Sequence, residues 1–310
     1  MKDLLVGSTG FVGGNLTQSH SFENVCHSSD VAEYYGSCPE LCVYSGVPAA
    51  MYLTNTDPES DYKIMEQARE NIRRINAKKT VLISTVAVFS DSRGKYEDSS
   101  VPSEELPAYG KNRLQLEQWV REDLPDALII RLPALYGAGL KKNFLFDLHT
   151  VTPAMLTEEK YRQIGAESAL VRDSYVPGKN GFFTLSDNCD RAELRRFFTG
   201  YSFNALCFTD SRSRYQFYPL ARLWNDISAA IDARLTLLHL CTPPVSASEV
   251  YEAVTGKNDW HNELSGKAPF SYDMRSRHSR LLGGAEDYLC TKEAELADIV
   301  RFMNEWARQE

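Results

Sequence analysis

The sequence has no Cys-x-x-Cys pair and no grouping of cysteine with histidine at metal-ligand spacing. Its seven cysteines (Cys26, Cys38, Cys42, Cys189, Cys207, Cys241 and Cys290) are odd in number and scattered. This excludes a zinc-finger pattern and a paired disulfide framework, and the expectation is reduced thiols with no metal. No apolar run approaches the ~18 residues that span a bilayer, and no charged leader with an apolar segment opens the chain. A cytoplasmic protein without a membrane partner is therefore expected. Basic charge is also short: 34 Lys and Arg face 42 Asp and Glu, a net charge of −8 with the signs mixed, which argues against nucleic acid as a partner. Lys2 is the only Lys or Arg before Lys63. What is present is ordinary: 310 residues, 43% hydrophobic and 25% charged, enough for one large α/β domain or two unequal ones.

The most informative stretch is the first. Leu4-Leu5-Val6 has strand character and breaks at Gly7-Ser8-Thr9-Gly10-Phe11-Val12-Gly13, a G-x-x-G-x-x-G spacing followed by helical residues. A first glycine permits a tight turn off the strand, and a second lets the backbone approach a pyrophosphate. A third lets the helix pack on the sheet, and the helix N-terminus offers unpaired N–H groups and the positive end of its dipole. This order of strand, glycines and helix points to a nucleotide-binding turn.

Further strands are expected at 24–29, 41–46, 80–85 and 127–133, with helices over 62–77 and from Pro107 to about Glu122 between them. The alternation predicts a parallel, doubly wound sheet. A dinucleotide fold of this kind usually carries an acid at the end of its second strand for the adenosine ribose. Here Ser28 or Ser29 stands at that place, and Asp30 reads as the cap of a following short helix. No Lys or Arg is near for a 2′-phosphate, so the residues favour neither NAD nor NADP. Leu41–Tyr44 ends in the small pair Ser45-Gly46, a further candidate contact.

The glycine turn, Ser84-Thr85 at a strand end, Tyr109-Gly110-x-x-Arg113-Leu114 and Arg131-Leu-Pro-x-x-Tyr-Gly137 follow one another in an order that resembles the extended short-chain dehydrogenase/reductase superfamily, the NAD-dependent epimerase/dehydratase type. Ser84-Thr85-x-x-Val88-Phe89 is most similar to the sugar-nucleotide reductases within it. The resemblance covers residues 1–140 well and the rest in patches. It implies a Rossmann-type sheet over 1–140 plus about 215–245, and a smaller, partly helical substrate domain over 141–214 plus 246–310. It implies NAD or NADP as cofactor, held at Gly7, Thr9, Gly10, Phe11, Val12 and Gly13, at Ser28, Ser29, Ser45 and Gly46, and beside Pro133 and Leu135.

The same resemblance assigns Tyr109 as acid/base, with Thr85 bonding the reacting oxygen. The family's Tyr-x-x-x-Lys pair, four residues apart on one helical face, has Arg113 in its Lys position. A cation there favours the phenolate and can lower the ordinary tyrosine value of ~10. Guanidinium is bulkier and passes no proton, so Arg113→Lys is expected to keep or raise activity. Lys111 is turned about 200° from Tyr109 on a helix and cannot substitute. Tyr175-x-x-x-Lys179 contains Pro177-Gly178 and cannot be helical. The Asn that the family places in the helix after Asp57 falls by count near Met65, an apolar residue expected in the core.

On the substrate side the resemblance points to Asn143 and Arg214 as contacts for a nucleotide-linked sugar. Arg212 with Arg214, and Arg275, Arg277 and Arg280, are clusters that either bind an anion or lie solvated at the surface. The aromatics around Phe182, Phe183, Phe197, Phe198, Tyr201 and Phe203 read as core. Two functions stay open. One is an NAD(P)-dependent epimerase, dehydratase or reductase of a nucleotide-linked sugar, a homodimer by resemblance. The other is a catalytically impaired dinucleotide-binding sensor or partner protein of the same fold, which Arg113 and the missing ribose acid favour.

Overall fold

The computed structural model describes residues 1–178 and 181–309. Lys179 of the second Tyr-x-x-x-Lys match lies outside them. The chain divides into two units: Met1–Leu140 with Arg214–Val245 and Ser271–Asp298, and Lys141–Ser213 with Ser246–Phe270 and Ile299–Glu310. Residues 271–298, read from the sequence with the C-terminal part, lie in the first unit.

The first unit is built on β1 (Asp3–Val6), β2 (Asn24–Cys26), β3 (Leu41–Tyr44), β4 (Lys79–Thr85) and β5 (Leu128–Leu132), closed by a later strand, Leu237–His239. These strands form a six-stranded sheet in the order Leu237–His239, β5, β4, β3, β1, β2, and each of their pairings is parallel. The doubly wound expectation holds. Strand residues alternate in period two between the faces. Leu5, Val43, Val81, Leu128 and Ile130 face one core with Leu16, Leu223, Ile227 and Ala230. Leu4, Val6, Cys42, Tyr44, Leu82 and Ile129 face the other with Met65, Ile72, Ile75, Leu116 and Val120. Met65 is fully buried, in keeping with its apolar character.

The first core is covered by α1 (Phe11–Ser19) and the helix Leu223–Asp232, the second by α3 (Pro58–Ile75) and α4 (Ala108–Asp123). Before α3 lies a short helix, α2 (Met51–Thr56), which the sequence pattern does not announce. Asp57 caps α3 by accepting from the Ser60 N–H, with Pro58 in the first turn and Glu59 and Asp61 near the positive end of the dipole. After β5, Pro133 bends the chain into β6 (Ala134–Tyr136), which pairs in parallel with Phe217–Pro219.

In the second unit α5 (Phe144–Thr150) is followed by β7 (Met155–Thr157), α6 (Glu158–Glu167), α7 (Ala169–Ser174), β8 (Tyr175–Pro177), β9 (Phe182–Leu185) and α8 (Arg191–Thr199). The strands form an antiparallel sheet in the order β7, β9, β8. Tyr175 is buried in β8, with its hydroxyl donated to the Pro153 carbonyl at 2.6 Å. Leu156, Ile164, Val171, Leu194 and Phe198 make this unit's core, with Phe183, Phe197, Tyr201 and Phe203 packed against it. Phe198 is core, as read, and the half-buried Phe182 lies outside this cluster. Ser246 forms the capping box with Glu249 at the start of the helix Ala247–Thr255.

Candidate active site

In a parallel sheet every strand ends at the same edge, so residues that follow β1 to β5 share one rim. That rim of the first unit carries Gly7–Gly13, Ser28-Ser29, Ser45-Gly46, Thr85 and Pro133. The order of the sheet reverses between β1 and β3, and the glycine turn stands at that switch point.

The glycines differ in what they do. Gly7 has φ +87°, and a Cβ there would lie 2.7 Å from the Gly46 Cα. A Cβ on Gly13 would lie 2.1 Å from the Gly7 carbonyl oxygen, so this glycine seats α1 against the end of β1. Gly10 is exposed, and its added Cβ would meet only the Gly7 oxygen, at 3.3 Å. The cradle is therefore open at Gly10, beside the first N–H groups of α1, which have no intrahelical acceptor. Such N–H groups could hold the pyrophosphate of a dinucleotide. Thr9 is exposed beside Gly10, and Phe11 and Val12 are half-buried in the first turn of α1. Leu135 in β6 pairs in register with Tyr218.

Two of the smaller candidates serve the sheet. The Ser45 hydroxyl donates to the Val6 carbonyl at 2.8 Å, and a Cβ on Gly46 would stand 3.1 Å from Val6 Cγ1 and 3.2 Å from Ser28 Cβ. After β2, His27 Nδ1 and the Ser29 hydroxyl are 2.8 Å apart, and that hydroxyl donates to Asp30 at 2.8 Å. Asp30 stands before a 3-10 turn, Val31–Tyr34, but its side chain makes no capping bond there, contrary to the sequence reading.

Asn15, which no motif singles out, links α1 to the loop after β6. Its Nδ2 donates to the Ala138 carbonyl at 2.9 Å, and its Oδ1 accepts from the Ala138 N–H at 3.0 Å. Gly137 leaves room for it, since a Cβ there would stand 2.4 Å from that oxygen.

Tyr109 and Thr85 are brought together by Gly110. A Cβ on Gly110 would lie 2.1 Å from the Ala87 carbonyl oxygen, so only glycine lets α4 press onto the turn that follows β4. Tyr109 is then buried, at 7% exposure, and the Thr85 side chain acts to lower the pKa of its hydroxyl. Thr85 is half-buried and also accepts from the Ala87 N–H at 3.2 Å. Lys111 is exposed.

Arg113 is buried rather than at the surface, with its guanidinium carbon 4.3 Å from the Tyr109 ring centroid. It donates through Nη1 to Asp61 and through Nη2 to the Pro48 carbonyl, the latter at 2.6 Å. The sequence reading had Arg113 lower the phenol. It does pull in that direction, together with Thr85, but burial is the larger effect and Asp61 adds to it. Tyr109 is held above the ordinary tyrosine value.

Beneath Thr85 lies a buried charge network. The Ser84 hydroxyl donates to Glu117 at 2.6 Å, Arg131 clasps Glu117 at 2.6 and 3.0 Å, and Arg131 Nη1 stands 3.3 Å from His239 Nε2. His239 Nδ1 is 2.9 Å from the Arg275 carbonyl, and the backbone N–H of His239 donates to Glu97.

The substrate-side candidates lie in different units. In the second, Asn143 has φ 109° and caps α5, accepting from the N–H groups of Leu145 and Phe146. Asp147 in the same helix is pushed up to about 7 by burial. In the first, Arg214 is exposed and donates to the Pro244 carbonyl at 3.0 Å. Arg212 pairs with Asp210 and Glu263, and Arg275 with Asp273 and Asp287. Arg277 lies over Tyr96 and near Asp98. These pairings favour the surface-charge reading of Arg212, Arg275 and Arg277.

Residues 1–154 match the family described as the RmlD substrate binding domain. No curated protein matches the chain. Among solved structures, dTDP-4-dehydrorhamnose reductase from Yersinia enterocolitica is similar over 97% of this chain and 99% of its own, at 18% identity and a TM-score of 0.62. dTDP-4-dehydrorhamnose reductase from Bacillus anthracis, solved with NADP, is similar over 98% and 99%, at 15% identity and a TM-score of 0.61. MoeE5, solved with UDP-glucose and NAD, is similar over 99% and 100%, at 13% identity and a TM-score of 0.62. These solved structures share the fold of this chain.

Proposed function

We propose that this protein is an NAD(P)-dependent oxidoreductase of a nucleotide-linked sugar, working as a reductase with Tyr109 as proton donor. The observation that carries the reading is the buried Tyr109 phenol, whose pKa Thr85 acts on from the same sheet rim as the open cradle at Gly10. Gly10 and the first turn of α1 would hold the pyrophosphate of the dinucleotide. The nicotinamide would supply hydride when bound. Thr85 would bond the carbonyl oxygen of the sugar, and Tyr109 would hand that oxygen its proton as the carbonyl becomes an alcohol. A phenol held above its ordinary value is protonated at neutral pH, which suits a donor. Asn143 and Arg214 are proposed as contacts for the nucleotide portion of the substrate. The structures solved with NADP and with NAD and UDP-glucose support the cofactor class and the ligand class.

The test is thermal stabilisation by NAD, NADH, NADP and NADPH, each followed by a panel of nucleotide sugars. A ligand at a hundredfold excess over its Kd contributes about 2.7 kcal/mol to the native state. A shift with a dinucleotide, enlarged by one sugar nucleotide, is the expected result. A shift with a dinucleotide and none with any sugar would favour the sensor or partner protein. No shift with any dinucleotide would remove the glycine turn as a cofactor site.

A further inference from the structure

The pairing of Arg113 has a chemical consequence for Tyr109. An unpaired cation 4.3 Å from the ring would favour ionised Tyr109. Arg113 is not unpaired. One arm of its fork goes to Asp61, whose side chain is 7% exposed against 6% for Arg113. The same carboxylate oxygen accepts from Asn112 Nδ2 at 2.8 Å, and the other accepts from the Thr54 hydroxyl at 2.9 Å. Asp61 also stands in the first turn of α3, where the helix dipole favours an anion. Burial acts to raise this carboxyl, but Arg113 and Asn112 outweigh it and hold the group below its usual range. The site thus contains a fixed negative charge directly behind the fixed positive one.

We propose that Asp61 is a positioning residue that helps keep Tyr109 a proton donor: by pairing with Arg113 it offsets, at the phenol, part of the positive charge that favours the ionised form. The groups that face Tyr109 are Arg113 from its own helix, Asp61 from α3, Thr85 from the end of β4, and Tyr272 from the segment 271–298. Of these, Arg113 and Asp61 carry charge at neutral pH, with opposite sign. The inference deepens the proposed function, since a standing proton donor fits reduction of a carbonyl and not abstraction of a proton from an alcohol.

The test uses the cofactor-free protein, so it does not depend on turnover. Tyrosinate absorbance is followed against pH in the native protein and in Asp61→Asn, and the corresponding Tyr109→Phe protein is subtracted from each. With the cation left uncompensated, the Tyr109 titration in Asp61→Asn is expected to move down by about one pH unit or more. A titration at the native position, an upward move, or no Tyr109-dependent change in a folded Asp61→Asn protein overturns the proposal. If Asp61→Asn does not fold, the double variant Asp61→Asn/Arg113→Met removes the pair as a unit and leaves no buried unpaired charge. The offset then predicts a titration within about one pH unit of the native one, whereas a larger upward move would show that Arg113 acts on the phenol without it. Failure of the catalytic reading is separate: Tyr109→Phe would leave turnover intact while the titration shift persisted.

Discussion

The guanidinium of Arg113 is stacked 4.3 Å from the Tyr109 ring and is tied at the same time to Asp61, a residue 52 positions earlier in the chain. This fork is planar and two-armed, and lysine cannot copy it.

Arg113→Lys is therefore expected to weaken the protein, although the family's own residue would be restored. A lysine could reach Asp61 or the Pro48 carbonyl but would leave the other short of a donor. A loss of roughly 1–3 kcal/mol should appear in urea unfolding. Unchanged stability together with raised turnover would return the site to the reading made from sequence alone.

Tyr109→Phe removes the proton and leaves the ring in place. Turnover on the sugar nucleotide identified by thermal shift should fall about 10²–10⁴-fold. Dinucleotide affinity, measured by calorimetric titration, should be unchanged because the cradle lies at Gly10. Equal loss of both would point to collapse of the site.

Two glycines of the turn should separate folding from binding. In Gly13→Ala the new methyl would stand 2.1 Å from the Gly7 oxygen, so the protein should be strongly destabilised or fail to fold. In Gly10→Ala the nearest contact is 3.3 Å, so the fold should survive while the methyl intrudes on the pyrophosphate space. Melting temperature and dinucleotide affinity of the two variants distinguish these outcomes. Gly10→Ala with native affinity would place the cofactor elsewhere.

His239 gives an acid limit to stability. Burial holds its imidazole at about 4, below the ordinary 6.5, with Arg131 pushing the same way and Glu97 opposing. The folded protein excludes a proton that the unfolded chain binds. Stability from this group is therefore complete above about pH 6.5 and is lost progressively as the pH falls toward 4. The melting temperature of the native protein should drop more steeply over that window than that of His239→Gln. Parallel curves would show that His239 contributes nothing to acid sensitivity.

Much of the first unit was legible because its signals are local. Near-continuous apolar runs in β3, β4 and β5 report a sheet buried on both faces, and glycine spacing after β1 reports a turn with room for a ligand. Tyr109, Gly110 and Arg113 were named through the family resemblance, and the helix period only set Tyr109 and Arg113 on one face. The short helix α2 escaped because six residues show too little periodicity, and Asn15 escaped because its partner, Ala138, lies 123 residues away.

The strand–helix alternation determined from the sequence alone that the strands run parallel, since that alternation is a property of the local chain. Tertiary structure alone decided what Arg113 does. A guanidinium's effect depends on which carboxylate stands behind it, and Asp61 arrives there only when α3 packs on α4. It also decided that residues 271–298 return to the first unit and set Tyr272 near Tyr109. Charge and solvation depend on every neighbour in space, so neighbours distant in sequence can reverse what a motif implies.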